Sequence, residues 1–370
     1  MLYGDFQGLR LSRLGMGNMR LPVRNTRQDG PIHRAEAQKM IDHALAGGIN
    51  YYDTAYVYHN GESEEFLGDA LARHPRESYY LATKYILFSG VDYKAIFAEQ
   101  RRRLKTDCID FYLIHAIMDS NYKQYLDSGC IDYFLEQKEK GAIRFLGFSN
   151  HASPDVLARF ADHHAWDFAQ IQLNAYDWIL GSAKQEHAIL YERGIPIMVM
   201  EPVRGGKLAT LSPKALAIIE KAARPDWSPA SWAFRWIRRF PGIQVIISGM
   251  STIAQIEENV ALFSSEASLG DEEQELLFAA CRAFHEEVRV ACTECRYCCG
   301  ECPARINIPE ILKVYNHYQT DGAWALNEMK GVTSESKTSD CTACSACTAR
   351  CPQGIDIAPI MAELTDLLSN

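Results

Sequence analysis

Two cysteine runs near the C-terminal end of the sequence carry the strongest chemical signal. The first is Cys292-x2-Cys295-x2-Cys298-x3-Cys302-Pro303, and the second is Cys341-x2-Cys344-x2-Cys347-x3-Cys351-Pro352. Three thiolates at this spacing wrap one face of an iron–sulfur cubane, while the fourth, turned away by its proline, reaches a second cluster. The spacing therefore assigns Cys292, Cys295, Cys298 and Cys351 to one [4Fe–4S] cluster, and Cys341, Cys344, Cys347 and Cys302 to another. Zinc also uses paired C-x2-C units, but a fourfold run repeated with its proline is the iron–sulfur pattern. Cys299 falls outside the repeat and reads as packing. Cys108, Cys130 and Cys281 sit in apolar contexts and read as small buried hydrophobes.

A second group lies far upstream. Asp53, Tyr58, Lys84 and His115 each follow a short β-rich run. A tyrosine titrates near pH ~10, too high for neutral-pH work, and a neighbouring ammonium favours its phenolate. A carboxylate can hold that lysine charged and in place, and a histidine can orient a carbonyl oxygen. Together the four form a proton-relay site with the tyrosine as general acid.

Such groups need elements to hold them. The 370 residues are 47% hydrophobic and 23% charged, enough apolar material for one large α/β domain with an appendage and too much for global disorder. The net charge of −9 argues against a nucleic-acid face. The N-terminal segment shows no apolar signal region, and no stretch approaches the ~18 continuous apolar residues of a membrane span. A cysteine-rich chain of this kind is expected in the cytoplasm, with its thiols used for metal or redox chemistry. Ten of its twelve cysteines lie from Cys281 to Cys351, which places a domain boundary at the acidic helical run starting at Asp271. The expected domains are 1–270 and 271–370.

Within the first, short strands at Leu14–Gly17 and at 49–52, 79–83, 109–114, 143–148, 168–173, 196–200 and 243–247 alternate with amphipathic segments such as Ala35–Ala46, Glu64–Ala72, Lys94–Leu104 and Ile253–Leu262. Eight strand–helix units over this length predict a (β/α)8 TIM barrel, whose chemistry sits where strands meet their following loops. Polar residues recur there: Ser149 and Asn150, Glu201 with Arg204, Gly205 and Lys207, then Ser248, Gly249 and Met250. The second domain is expected to be mainly helical, with a helical stretch near Ile308–Tyr318 and a polar loop at 332–340.

The chain resembles the aldo-keto reductase family over roughly residues 5 to 265. The resemblance rests on YYDTAYVYHNGESEEFLGDAL at 51–71, LATK ending at Lys84, LIH ending at His115, GFSN ending at Asn150, Gln170 in AQIQLN, EPVRGGKL at 201–208 and SGMSTIAQIEENV at 248–260. It implies Tyr58 as proton donor, Asp53 and Lys84 as its tuning pair, and His115 as the carbonyl-orienting group. It also implies that Ser149, Asn150 and Gln170 hold a nicotinamide carboxamide, and that Glu258 and Asn259 contact the adenine end. Members reduce aldehydes and ketones with a nicotinamide cofactor or run the reverse oxidation. Two departures stand out. Met200 stands where members stack an aromatic ring on the nicotinamide. Gly249, Met250 and Gln255 stand where NADPH-preferring members place a cation for the 2′-phosphate. The cofactor is therefore NADP or NAD, with a flavin nucleotide as the further alternative, and Arg204 and Lys207 are candidate phosphate ligands. The C-terminal segment resembles a two-cluster ferredoxin-like domain.

Nicotinamide moves electrons in pairs and a cluster moves them singly, so a direct relay is chemically awkward. Three arrangements remain open. The clusters exchange electrons with a soluble partner of ferredoxin or flavodoxin type through a flavin. Alternatively, they are structural beside ordinary nicotinamide chemistry on a small carbonyl or alcohol. Or the barrel is a non-catalytic nucleotide- and redox-sensing module. The substrate pocket is expected from the loops at 18–33 and 116–131.

Overall fold

The computed structural model describes residues 1–24, 30–87, 92–321 and 323–369. Eight parallel strands close into a barrel: β3 (Leu14–Gly17), β4 (Tyr51–Asp53), β5 (Tyr80–Tyr85), β6 (Ile109–Ile117), β7 (Ile143–Asn150), β8 (Phe168–Gln172), β9 (Ile197–Met200) and β10 (Ile243–Ser248), with β10 pairing back onto β3. The long apolar runs are those of strands buried on both faces: all nine residues of β6 are buried. A hairpin of β1 (Tyr3–Phe6) and β2 (Leu9–Ser12) precedes the barrel and was not anticipated. Its turn residues Gln7 and Gly8 both have positive φ, 48° and 84°, as a two-residue hairpin turn requires. Phe6 from this hairpin packs against Phe111, Phe145 and Phe168 and so closes one end of the barrel core.

The expected strands are present, but several extend further than their apolar runs. Asp53 is the last residue of β4, Lys84 lies in β5, His115 in β6, and Ser149 and Asn150 in β7. These polar side chains are buried with the strands, and pairing continues through all of them but His115, which lies in a register shift between Ile114 and Ile117. The expected helices appear as Arg34–Ala46, Glu62–Leu71, Tyr93–Leu104 and Ile253–Leu262. The Arg101–Arg103 run at the end of the third is not uniformly solvated: Arg103 donates to the buried Glu64 carboxylate at 3.2 Å. Among the described residues no helix is long and apolar enough to cross a membrane. Of the pocket loop 18–33, residues 25–29 lie outside the described residues.

The chain divides into two compact units, Met1–Val203 with Ala230–Gly270, and Arg204–Pro229 with Asp271–Asn370. The second therefore includes a segment, Arg204–Pro229, that the sequence placed with the barrel. Its helix Pro213–Ile219 packs on the helix Asp271–Glu287, joining that segment to the second unit. The rest of this unit is built on helices Ile308–Asp321 and Ile357–Ser369, around a core that includes Ile306, Ile308, Ile311, Ile357, Met361 and Leu364.

Candidate active site and cluster cavities

The barrel unit brings the quartet together. Lys84 Nζ lies 2.6 Å from Asp53 Oδ1 and donates to Thr54 O at 2.7 Å, with both side chains almost wholly buried. The same ammonium stands 5.2 Å from the centre of the Tyr58 ring. The Tyr58 and His115 rings meet edge to face at 6.1 Å. Tyr58 opens a single helical turn whose next three residues, His59, Asn60 and Gly61, all have left-handed backbone. The turn is anchored by buried His59, whose Nδ1 lies 3.1 Å from Gly30 O.

Electrostatics follow from burial. Removal from water pushes the Asp53 carboxyl up and the Lys84 ammonium down, and their mutual bond opposes both shifts. Burial, with the Lys84 charge second, holds His115 well below the ordinary imidazole range, so it is neutral at neutral pH. Asp53 Oδ2 is buried and makes no hydrogen bond.

The expected carboxamide-holding residues sit on adjacent strands, Ser149 paired in register with Gln170. Ser149 Oγ accepts from the Ala116 amide at 2.8 Å. Asn150 Nδ2 donates to Ala152 O at 3.1 Å and to Glu186 at 3.2 Å. Gln170 Oε1 is buried and makes no hydrogen bond, an acceptor that an amide N–H of a bound group would satisfy. The donor set thus fits a nicotinamide carboxamide. Near the last strand, Asn259 donates to Ser248 Oγ at 3.2 Å, Gln255 Oε1 accepts from the Ser251 amide at 2.7 Å, Met250 is buried and Glu258 is exposed. Met200 ends β9, and Glu201 follows it with a left-handed φ of 54°.

Sequence reasoning missed Arg20. Its NH2 lies 3.8 Å from Glu201 Oε1, its carbonyl accepts from Ser251 Oγ at 2.7 Å, and a Cβ on Gly249 would come within 3.2 Å of its Cδ. It supplies a cation at the turn where Gly249, Met250 and Gln255 offer none. Reading the end of β3 as the other strand ends were read reaches Arg20. Glu186 was also missed: it is buried, accepts from Ser182 Oγ at 2.6 Å as well as from Asn150, and burial raises its pKa to about 7.

Arg204, Gly205 and Lys207 lie in the second unit. Arg204, 4% exposed, donates to Ala291 O at 3.1 Å and to Gln353 Oε1 at 2.7 Å, and Lys207 Nζ lies 2.9 Å from Glu294 Oε1. Their partners there are neighbours of Cys292 and Cys351.

Two cavities in this unit gather the eight cysteines in the crossed grouping. One is lined by Cys292, Cys295, Cys298 and Cys351. The other is lined by Cys302, Cys341, Cys344 and Cys347. The backbone repeats with the sequence: Glu294 and Arg296 in the first run, and Ala343 and Ser345 in the second, are all left-handed, as are Arg305 and Gly354, three residues after Cys302 and Cys351. Each run then closes with one helical turn, Tyr297–Gly300 or Ala346–Ala349. The thiols ring a space instead of meeting at a point. Among the described residues no three His, Cys, Asp or Glu side chains gather closely enough to hold a single ion. Four sulfurs around an apolar cavity fit a four-iron cluster. Cys299 packs in the core beside them, and Cys130 and Cys281 are buried.

Comparison with known proteins agrees with both units. The family description "Aldo/keto reductase family" matches residues 13–277, and "4Fe-4S dicluster domain" matches residues 291–355. An uncharacterized oxidoreductase of Bacillus subtilis is 26% identical over 68% of this chain and 87% of its own length. L-galactose dehydrogenase of Arabidopsis thaliana is 25% identical over 73% and 89%. Among solved structures, the holo form of an aldo-keto reductase from Bacillus halodurans superposes with a TM-score of 0.63 at 24% identity, covering 76% of this chain and 96% of that one.

Proposed function

The chain belongs to the aldo/keto reductase family, and on that premise we propose that it reduces a small carbonyl compound, or oxidises the corresponding alcohol, with Tyr58 as the proton donor. The observation that carries this reading is the buried Lys84–Asp53 pair beside Tyr58 and His115. Tyr58 gives its phenolic proton to the substrate oxygen as charge develops there. Lys84 faces the ring and stabilises the phenolate left behind, while Asp53 and Thr54 O hold that ammonium in place. His115, neutral under burial and the Lys84 charge, orients the carbonyl without adding a competing cation.

A bound nicotinamide nucleotide supplies the hydride, and [4Fe–4S] clusters carry single electrons. Ser149, Asn150 and Gln170 hold the carboxamide. Ser248, Glu258 and Asn259 face the far end of the nucleotide, and Arg20 contributes the positive charge for its phosphates. Cys292, Cys295, Cys298 and Cys351 ligate one cluster, and Cys302, Cys341, Cys344 and Cys347 the other. The crossed grouping of the two cavities supports that division.

Lys84→Met tests the acid–base site. It is expected to lower carbonyl reduction by roughly 10²–10⁴-fold while NADPH or NADH binding, followed by nucleotide fluorescence, is retained. An unchanged rate removes the pair from the mechanism.

A further inference from the structure

The two cluster cavities have the same cysteine pattern and the same backbone, but different electrostatic surroundings. Arg296 lines the Cys292/Cys295/Cys298/Cys351 cavity. Arg204 lies within electrostatic reach of Cys351, whereas at Cys292 the Glu294 carboxylate acts ahead of the Lys207 ammonium. Glu294, the carboxylate of the same loop, is paired with Lys207 at 2.9 Å. Arg204 is buried, so its charge is shielded little by solvent ions, and it donates to Gln353 Oε1 two residues from Cys351. Backbone amides do not separate the two sites: the N–H groups of Gln353, Gly354 and Ile355 donate toward Cys351 and that of Glu294 toward Cys292 Sγ at 3.4 Å, while those of Ala346 and Thr348 donate toward Cys344 and Cys347.

The other cavity differs. Besides its four cysteines, its lining among the described residues is apolar apart from Thr342 and Ser345, and carries no charged side chain. Of the eight cysteines only Cys344, in this second cavity, is exposed, so solvent access there works against the difference in charge and narrows it.

Reduction adds one electron to a cluster and makes it more negative, with no bond made or broken. Nearby cations and amide dipoles therefore favour the reduced form and raise the potential. We propose that the cluster held by Cys292, Cys295, Cys298 and Cys351 is the more easily reduced of the two, and that Arg204, with Arg296 lining the same cavity, sets the difference. This inference rests on the cluster ligation proposed above.

The test is an anaerobic potentiometric titration of the full chain with its clusters in place, with dithionite as the electron donor and electron paramagnetic resonance as the readout. Two one-electron steps are expected, separated by at least a factor of ten in reduction equilibrium, which is 59 mV for a one-electron couple. Arg204→Gln should lower the upper step by up to about tenfold and leave the lower step in place, and Arg204→Lys should restore most of it. If Arg204→Gln does not accumulate as folded protein, the half-exposed Lys207→Gln tests the same field, leaves Glu294 without its paired charge, and should shift the same step downward by a smaller factor. Two coincident steps, or movement of the lower step alone, overturns the inference while leaving the ligation intact. A protein without iron or a cluster signal overturns the ligation itself.

Discussion

Glu186 shows how a residue far from any recognisable motif can bear on the site. Its carboxyl is buried behind Asn150 and its pKa is raised to about 7, because burial disfavours the charge more than Ser182 and Asn150 support it. The unfolded chain loses this proton near the ordinary carboxyl value of 4.5. The folded state therefore holds a proton that the unfolded state has released, and stability from this group falls as pH rises from 4.5 through 7. Glu186→Gln keeps the hydrogen-bonding shape without the charge. It should match the parent near pH 4.5 and exceed it by up to about 3 kcal/mol above pH 7. Denaturant unfolding at the two pH values checks this, and equal stability at both would contradict it. The quartet Asp53, Tyr58, Lys84 and His115 was legible in the sequence because Asp53, Lys84 and His115 directly follow apolar runs and Tyr58 stands five residues beyond Asp53. Glu186 and Gln100 were not, because what defines them is a partner distant in sequence. Gln100, for example, donates to the Glu64 carboxylate and to Lys84 O, 36 and 16 residues away, bracing the strand that carries Lys84.

At the scale of elements, the barrel strands were legible from apolar runs, but their ends were not. Hydrophobicity stops where the functional side chains begin, while backbone pairing continues through Lys84, and at His115 the strand runs on through an irregularity in register between Ile114 and Ile117. The β1–β2 hairpin escaped notice because its strands are four residues each and only Gln7-Gly8 marks the turn. Helix packing adds a constraint that propensity alone reverses. Gly68 lies mid-helix in Glu62–Leu71, where alanine would ordinarily gain ~1 kcal/mol. A Cβ there would come 2.1 Å from Arg103 O and 2.9 Å from Leu104 Cα, both backbone atoms of the neighbouring helix. Overpacking of this kind costs about 1–3 kcal/mol or more, so Gly68→Ala should destabilise the protein despite its better propensity. The carbonyl of Arg103 cannot move without its helix, which also carries Gln100, so the variant should also lower any carbonyl-reducing rate. A gain in stability would show that the two helices have room to separate. In the second unit the repeated left-handed positions around the cysteines were not legible. Of the six, only Gly354 is a glycine, and the conformation is set by winding the chain about the cavity.

For the whole molecule, the cysteine distribution marked the start of the second unit at Asp271, and the unit does resume there. What composition could not show is that Arg204–Pro229 belongs to it as well. Arg204 and Lys207 looked like phosphate ligands because they follow a barrel strand. In the folded chain their partners are Ala291, Gln353 and Glu294. The chain thus combines an acid–base site suited to two-electron carbonyl chemistry with a unit whose thiols are arranged for one-electron carriers. We propose that the first of these turns over through Tyr58. The most direct measurement follows nucleotide oxidation by the anaerobically prepared full chain, with NADPH and with NADH, against a panel of small aldehydes and ketones, for the parent and for Tyr58→Phe. The account predicts carbonyl-dependent oxidation of at least one nucleotide by the parent, lowered roughly 10²–10⁴-fold in the variant with nucleotide affinity preserved. Equal rates for the two proteins, or no carbonyl-dependent oxidation of either nucleotide by a parent protein that binds them, would contradict it.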